Sequence, residues 1–462
     1  MKRSNRTNLG TENGRFSSFA GSGTPCPRHR VIGTIIKFCA ISLLLWQLAK
    51  PTNRGGLKKM IGDISELNAI RTRPFLEIAA TLFSVIVYTS ANGFMTGGLS
   101  VAGRQLGLGE VEIGLILGSG ALIGVLCAPV WGYISEVWSR RALLLLAVPM
   151  ITFGPAAMAA IVGEWMVLQT TAIGLSLGVA RLVQAAFGAA LIPVAQAAMA
   201  DFTVPARRVS GMGILSAVVS FGTLTGSALL WLTGRFGLVS GFTTIAAFGI
   251  LALIGVAACM PQTSPRHEIS REESLVPLAK VWPFLVLTFV GFTCYTTVPP
   301  IFALRLMDKF AFESGAAASQ TGLVLTLGVI AVCAAQVIIA IRRNWNPTVM
   351  LRLGSIGIFA GLLLLLSAKD IGEMSAAMTV IGFAVGFLAP AILGAISLLG
   401  GRGSQGKIGG LNMAARGLGS ALGPVLGTTL YHVSPDLPII GSMVLIGGVL
   451  LLTFILPRVD TR

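Results

Sequence analysis

Residues 111–133 read VEIGLILGSGALIGVLCAPVWGY, a run whose single charge, Glu112, stands one residue from its start. A helix rises about 1.5 Å per residue, so this run is long enough to cross about 30 Å of hydrocarbon. It offers no polar face for water, which argues for burial in lipid and in neighbouring helices rather than for the surface of a soluble domain. Its core repeats later in the chain: Gly114-Leu115-x-Leu117-x-x-Gly120 returns as Gly322-Leu323-x-Leu325-x-x-Gly328. Outward from these two copies, eleven spans besides 111–133 can be drawn, at 75–98, 142–162, 174–200, 210–233, 237–260, 281–304, 320–341, 349–368, 374–399, 409–431 and 437–457. The expected fold is therefore an all-α membrane protein of twelve transmembrane helices.

Composition agrees. The 462 residues are 54% hydrophobic and 11% charged, with a mean hydropathy of +0.82, against about 25% charged in a typical soluble domain. The 57 glycines suit helices that approach closely in a bilayer. A net charge of +16 could signal nucleic-acid binding. The basic residues, however, lie between apolar spans or in the first 73 positions, as topology signals do, so nucleic acid is not an expected partner. Six scattered cysteines make no metal or disulfide pattern. There is no Gly-Lys-Ser/Thr phosphate loop, and His29, His267 and His432 all fall outside the spans, so neither an enzyme nor a cofactor is implied.

The connections set the orientation. With both ends of the twelve-span unit inside, the inner loops and tail hold fourteen Lys or Arg. The outer loops hold five: Arg104, Arg235, Arg305, Lys309 and Lys369. This bias puts both ends of the unit in the cytoplasm, in an inner membrane. The polar stretch 261–280 separates a first half, 74–260, from a second, 281–457, followed by a tail at 458–462. Pro193, Gly213, Gly222 and Gly226 recur 197 positions later as Pro390, Gly410, Gly419 and Gly423, the mark of a duplicated six-helix unit. Residues 1–73 form an extension, its first 30 residues polar and read as disordered. Its apolar segment at 31–49 reads as peripheral to the carrier, with a thirteenth span or a signal peptide as alternatives, and Met60 could be the start of translation.

Several motifs then resemble one family. The loop GYISEVWSRR at 132–141 resembles the G-x-L-a-D-r-x-G-r-R pattern of the major facilitator superfamily, with Glu136 for its Asp, Val137 for its first basic residue and Ser139 for its second Gly. The resemblance implies a conformational latch of Gly132, Glu136, Arg140 and Arg141. Asp201, in ADFTVPARR at 200–208, is its expected partner at the end of the fourth span. A plain positive-inside loop is the competing reading. Arg181 and Gln184 match the family's R-x-x-q pattern, although Ala185 and Phe187 replace expected glycines. In exporters of the family this Arg is implicated in proton coupling; snorkelling to the outer interface is the alternative. Gly213-(x)8-Gly222-(x)3-Gly226 resembles the antiporter signature, with Ser227 where the family has Pro. Gly410-(x)8-Gly419-(x)3-Gly423-Pro424 is a fuller copy in the eleventh span.

The resemblance implies a monomeric, proton-coupled carrier that exports a drug-like compound or a secreted metabolite such as a siderophore, working by alternating access, like the tetracycline-exporter branch. An importer stays open, and so, from another class, does a membrane-embedded receptor or enzyme. Membrane lipid, a small molecule and protons are the expected partners. Candidate cavity residues are Tyr88, Asn92, Gln184, Tyr295, Thr296, Gln336, Asn412 and Arg416. Pro299-Pro300 should break or kink the seventh span. No Asp or Glu lies deep in a span. Coupling is therefore expected through Glu77 near the inner end of the first span, through the Arg181 region, or through protonation of the substrate.

Overall fold

The structure, a computed structural model, describes residues 64–165, 169–202, 208–260, 278–341, 345–399 and 405–455. The apolar segment 31–49 and the start at Met60 therefore lie outside the described residues. Twelve helical spans follow one another, and each expected span contains a helix. The first half has Ile64–Gln105, Glu110–Val137, Arg140–Val162, the pair Thr170–Gly188 with Leu191–Phe202, Arg208–Thr233 and Leu238–Cys259. The second half has Leu278–Asp308, Ser314–Ile341, Pro347–Ser367, Ile371–Leu399, Gln405–Val433 and Leu437–Ile455. The end that the charge bias assigns to the outside is called the outer end below.

Local chemistry accounts for the boundaries. Ser139 accepts from Ala142 N to cap the third helix. Asn346 accepts from Thr348 N to cap the ninth, with Pro347 in the first turn where a missing N–H costs nothing. The structure refines two expectations. The fourth span is two helices, not one, parted at Ala189 and Ala190. Pro193 has no N–H to offer the Ala189 carbonyl, and Ala190 N turns instead to Phe187 O at 3.1 Å. The seventh span, conversely, is not broken by Pro299 and Pro300, since its helix runs on to Asp308. Two interhelical bonds brace this stretch: Thr297 donates to Gly423 O and Thr296 to Gly419 O.

The eleventh helix, Gln405–Val433, stands apart: eleven of the twelve spans are long and apolar enough to cross a membrane by themselves, and this one is not. It nonetheless packs along both the seventh and the second helices. The duplication seen in the sequence reappears as duplicated packing. A Cβ on Gly222 or Gly226 would strike the first helix, at 2.9 Å from Ile86 O and 2.8 Å from Phe94 N. On Gly419 or Gly423 it would strike the seventh, at 3.1 Å from Thr293 N and 2.7 Å from Thr293 O. Both glycine seams therefore let backbones touch where a side chain would hold them apart. Gly114 and Gly322 likewise play matching parts, facing the eleventh helix at Pro424 O and the fifth at Leu230.

The second helix packs on the eleventh and the fifth on the eighth, pairing the two halves. Both pairs are closed at the outer end. Toward the inner end, Leu126, Val130 and Tyr133 of the second helix are exposed, as are Leu411 and Met413 of the eleventh, and Ile214 of the fifth with Val337 and Ile341 of the eighth.

Candidate functional site

Two guanidinium groups occupy the middle of the bundle. Arg181 is 7% exposed, which excludes snorkelling to the interface. It donates to Gln184 Oε1 at 2.9 Å and lies 3.6 Å from Met95 Sδ, and its Nε has no partner among the described residues. The Tyr88 phenol stands within electrostatic range, and the Tyr88 ring packs against Gly188, where a Cβ would collide with it. Gly120 of the second helix makes room for the arginine's stem: a Cβ there would sit 2.7 Å from Arg181 Cγ.

Arg416 has a parallel setting in the other half. Its guanidinium carbon lies 4.5 Å from the Phe292 ring centroid, a cation–π contact, and Tyr295 is its electrostatic neighbour. Arg416 is nevertheless solvent-exposed, eleven residues into its helix, as expected on the wall of an open cavity.

The other candidates divide. Asn412 accepts from Thr288 Oγ1 at 2.7 Å, a bond between the seventh and eleventh helices. Asn92 donates to Tyr88 O within its own helix, and Thr296 to Phe292 O within its own. Gln336 is exposed on the eighth helix, and Glu77 is half-buried near the inner end of the first. The structure thus gathers Tyr88, Arg181 and Gln184 into one group and Tyr295, Arg416 and Asn412 into another, and leaves Gln336 and Glu77 apart.

At the inner end, the side chains of Glu136 and Asp201 lie outside the described residues. Arg141 is placed, and it donates to Met260 O and to Ala257 O at 3.0 Å. It thereby satisfies carbonyls that the end of the sixth helix leaves open. Gly132, Gly213 and Gly410 were expected to pack closely. Among the described residues, a Cβ on any of them meets nothing within 4 Å.

A network at the outer end was not foreseen. Arg104 pairs with Glu110, and its Nη2 donates to both Asp308 oxygens at 2.8 and 3.0 Å. Tyr431 donates to Asp308 Oδ2 at 3.0 Å, and His432 Nδ1 lies 3.1 Å from Glu110 Oε2. Gln105 donates to Ser314 Oγ at 2.6 Å, and Ser319 to Trp231 O at 2.9 Å. These bonds tie the first, second and fifth helices to the seventh, eighth and eleventh. Arg305, 1% exposed, is held by Asp436 and by Pro435 O. Sequence offers one faint cue: the acidic residues are few, and Glu110, Asp308 and Asp436 all fall at helix ends.

Comparison with known proteins fits this arrangement. Multidrug resistance protein 1 of Bacillus subtilis (strain 168) is 23% identical over 346 residues, covering 72% of this chain and 84% of the relative. The class D tetracycline resistance protein of Salmonella ordonez is 26% identical over 323 residues, covering 68% and 78%. Among solved structures, a D-xylose-proton symporter superposes with a TM-score of 0.69 at 13% identity, over 84% of this chain and 99% of its own. A bacterial homologue of the lysosomal transporter Spinster, in an inward-facing and occupied conformation, gives 0.63 at 14% over 83% and 96%. The pattern of the Major Facilitator Superfamily matches residues 81–424 and, in a second alignment, 284–461. With twelve helices, a duplicated glycine seam and that match over most of its length, the chain belongs to the major facilitator superfamily of membrane transporters.

Proposed function

We propose that the protein exports a small organic solute from the cytoplasm across the inner membrane, driven by protons and working by alternating access. The observation that carries this reading is the glycine seam. Gly222 and Gly226 seat the fifth helix on the first, and Gly419 and Gly423 seat the eleventh on the seventh, at the spacing of the exporter signature. Relatives named for multidrug and tetracycline resistance support it. The halves 74–260 and 281–457 would rock about the mid-membrane groups, with both ends of the unit in the cytoplasm. Proton coupling is assigned to the Arg181 region or to Glu77, and the chain is taken to act as a monomer.

A second reading, import, draws on Ser227, which stands where the signature has its Pro. Direction-resolved transport separates the two. Everted vesicles should accumulate substrate in a manner abolished by an uncoupler; uptake by right-side-out vesicles alone would overturn export. Arg181→Ala should abolish the uncoupler-sensitive part at unchanged protein abundance, and unchanged transport would remove Arg181 from coupling.

A further inference from the structure

We infer that the mid-membrane site takes an organic anion, held between Arg181 of the fourth span and Arg416 of the eleventh; this rests on the reading of the protein as a carrier of small solutes. Measured from the span ends, Glu77, one residue past Leu76, and every other charged residue of the described spans except two lie within about two turns of an end. Arg181 and Arg416 remain: Arg181 stands nine residues past Ala172, where its span begins, and Arg416 eleven past Gln405, where its helix begins. The core of the membrane domain thus carries two fixed positive charges and no carboxylate.

The two groups lie at similar depth. Arg181 fits against Gly120 of the second helix, and Gly417, next to Arg416, presses on Val125 of that same helix. Five residues separate Gly120 from Val125, about 7.5 Å along the axis. Both points are close to the middle of the second span, Glu110–Ser135.

Neither group has a neutralising partner among the described residues. Arg181 has Gln184 and Met95, both neutral, and an orphaned Nε although it is 7% exposed. Arg416 rests on Phe292 and stays open to the cavity. An unpaired guanidinium in a low-dielectric interior is costly, and a cost of this kind persists where function requires it. Two such charges at similar depth in the bundle repel a cation and attract an anion. The flanking rings, Tyr88 beside Arg181 and Phe292 with Tyr295 beside Arg416, suit an anion with a flat or apolar body. A guanidinium also presents paired donors that match a carboxylate or sulfonate edge.

Fluorescein and rhodamine 123 share a xanthene frame and differ in charge, the first an anion and the second a cation. Fluorescence polarisation with the purified full-length protein should give fluorescein about tenfold tighter binding. Benzoate should displace it and benzylamine should not. Arg416→Gln should weaken fluorescein about tenfold while leaving rhodamine 123 no weaker, and Arg416→Lys, which keeps the charge, should recover part of the loss. Arg181→Gln should act in the same direction.

Equal or tighter binding of rhodamine 123 would overturn the assignment. So would displacement by benzylamine and not benzoate, or fluorescein binding indifferent to Arg416→Gln. The benzoate competition uses the unaltered protein, so it decides even where a variant fails to fold. Binding without a gradient is blind to direction: an importer would keep the anion preference and refute export alone. Energised everted vesicles that accumulate rhodamine 123 and ignore fluorescein would leave export standing and refute the anion site.

Discussion

Asp308→Asn should loosen the outer end and shift the protein away from the state described above. Asp308 receives Arg104 through both carboxylate oxygens and Tyr431 through one. The Arg104 and Asp308 side chains are 31% and 36% exposed, so their attraction is partly screened and contributes at most about 1 kcal/mol. The Tyr431 bond survives as a neutral one, which forfeits about 1 kcal/mol relative to a charged acceptor. Together the loss is about 1–2 kcal/mol, a change of about 5- to 30-fold in a two-state ratio. Glu110 remains as a partner for Arg104, which keeps the change from being larger. Spin labels at Arg235 and Glu313, exposed positions at the outer ends of the fifth and eighth helices, would report it in a background without native cysteines. Pulsed dipolar distances should gain a longer-distance population in the variant. An unchanged distribution would refute the claim that this network holds the outer end shut.

Three further outcomes are expected. Gly226→Ala should lower the thermal midpoint of the detergent-purified protein by the equivalent of about 1–3 kcal/mol, since its Cβ would press on the first helix; Gly213→Ala, whose Cβ meets none of the described residues within 4 Å, should fall within about 0.5 kcal/mol of the parent. Equal losses at both glycines would dismiss the seam as a structural contact. Arg141→Ala should cost about 1–3 kcal/mol by freeing the Met260 and Ala257 carbonyls, read as a lowered midpoint that Arg141→Lys partly restores. A double-mutant cycle of Thr288→Val with Asn412→Ala should give a coupling of about 0.6 kcal/mol, and no more than about 1.7, for their interhelical bond; additive losses would mean the bond contributes nothing.

The sequence carried the helices well and the contacts between halves poorly, and the reason is physical. Apolar length is a local property, so each expected span contains a helix. The 197-residue echo is also local in each copy, and it led to seams that do pack alike: Gly222 and Gly226 on the first helix, Gly419 and Gly423 on the seventh. Gly213 and Gly410 belong to the same signature, yet a Cβ on either meets none of the described residues within 4 Å, because a spacing does not say which of its glycines meets a neighbouring helix. Arg181 stood out in the sequence as a charge far from a helix end, and the structure gives it burial and neutral partners. Asp308 gave no comparable signal: its partners Arg104 and Tyr431 lie 204 and 123 positions away, and only the fold brings them together. Pro299 and Pro300 leave the seventh helix unbroken for a related reason. Proline removes a backbone bond, but neighbouring helices supply others, as Thr297 does toward Gly423 O.

The eleventh helix has a consequence for how the protein is made. It falls short of the apolarity that lets the other spans enter a bilayer unaided, and Arg416 near its middle adds a penalty of a few kcal/mol for insertion. Its partners, the second and seventh helices, are both synthesised earlier. Gln405–Val433 therefore joins the membrane in a cleft that earlier helices have prepared, with its glycine face already matched by the seventh helix. Folding and insertion are a single event for this segment, so a weakened seam at Gly419 or Gly423 would surface first as a topology defect during biogenesis, before any transport could be measured.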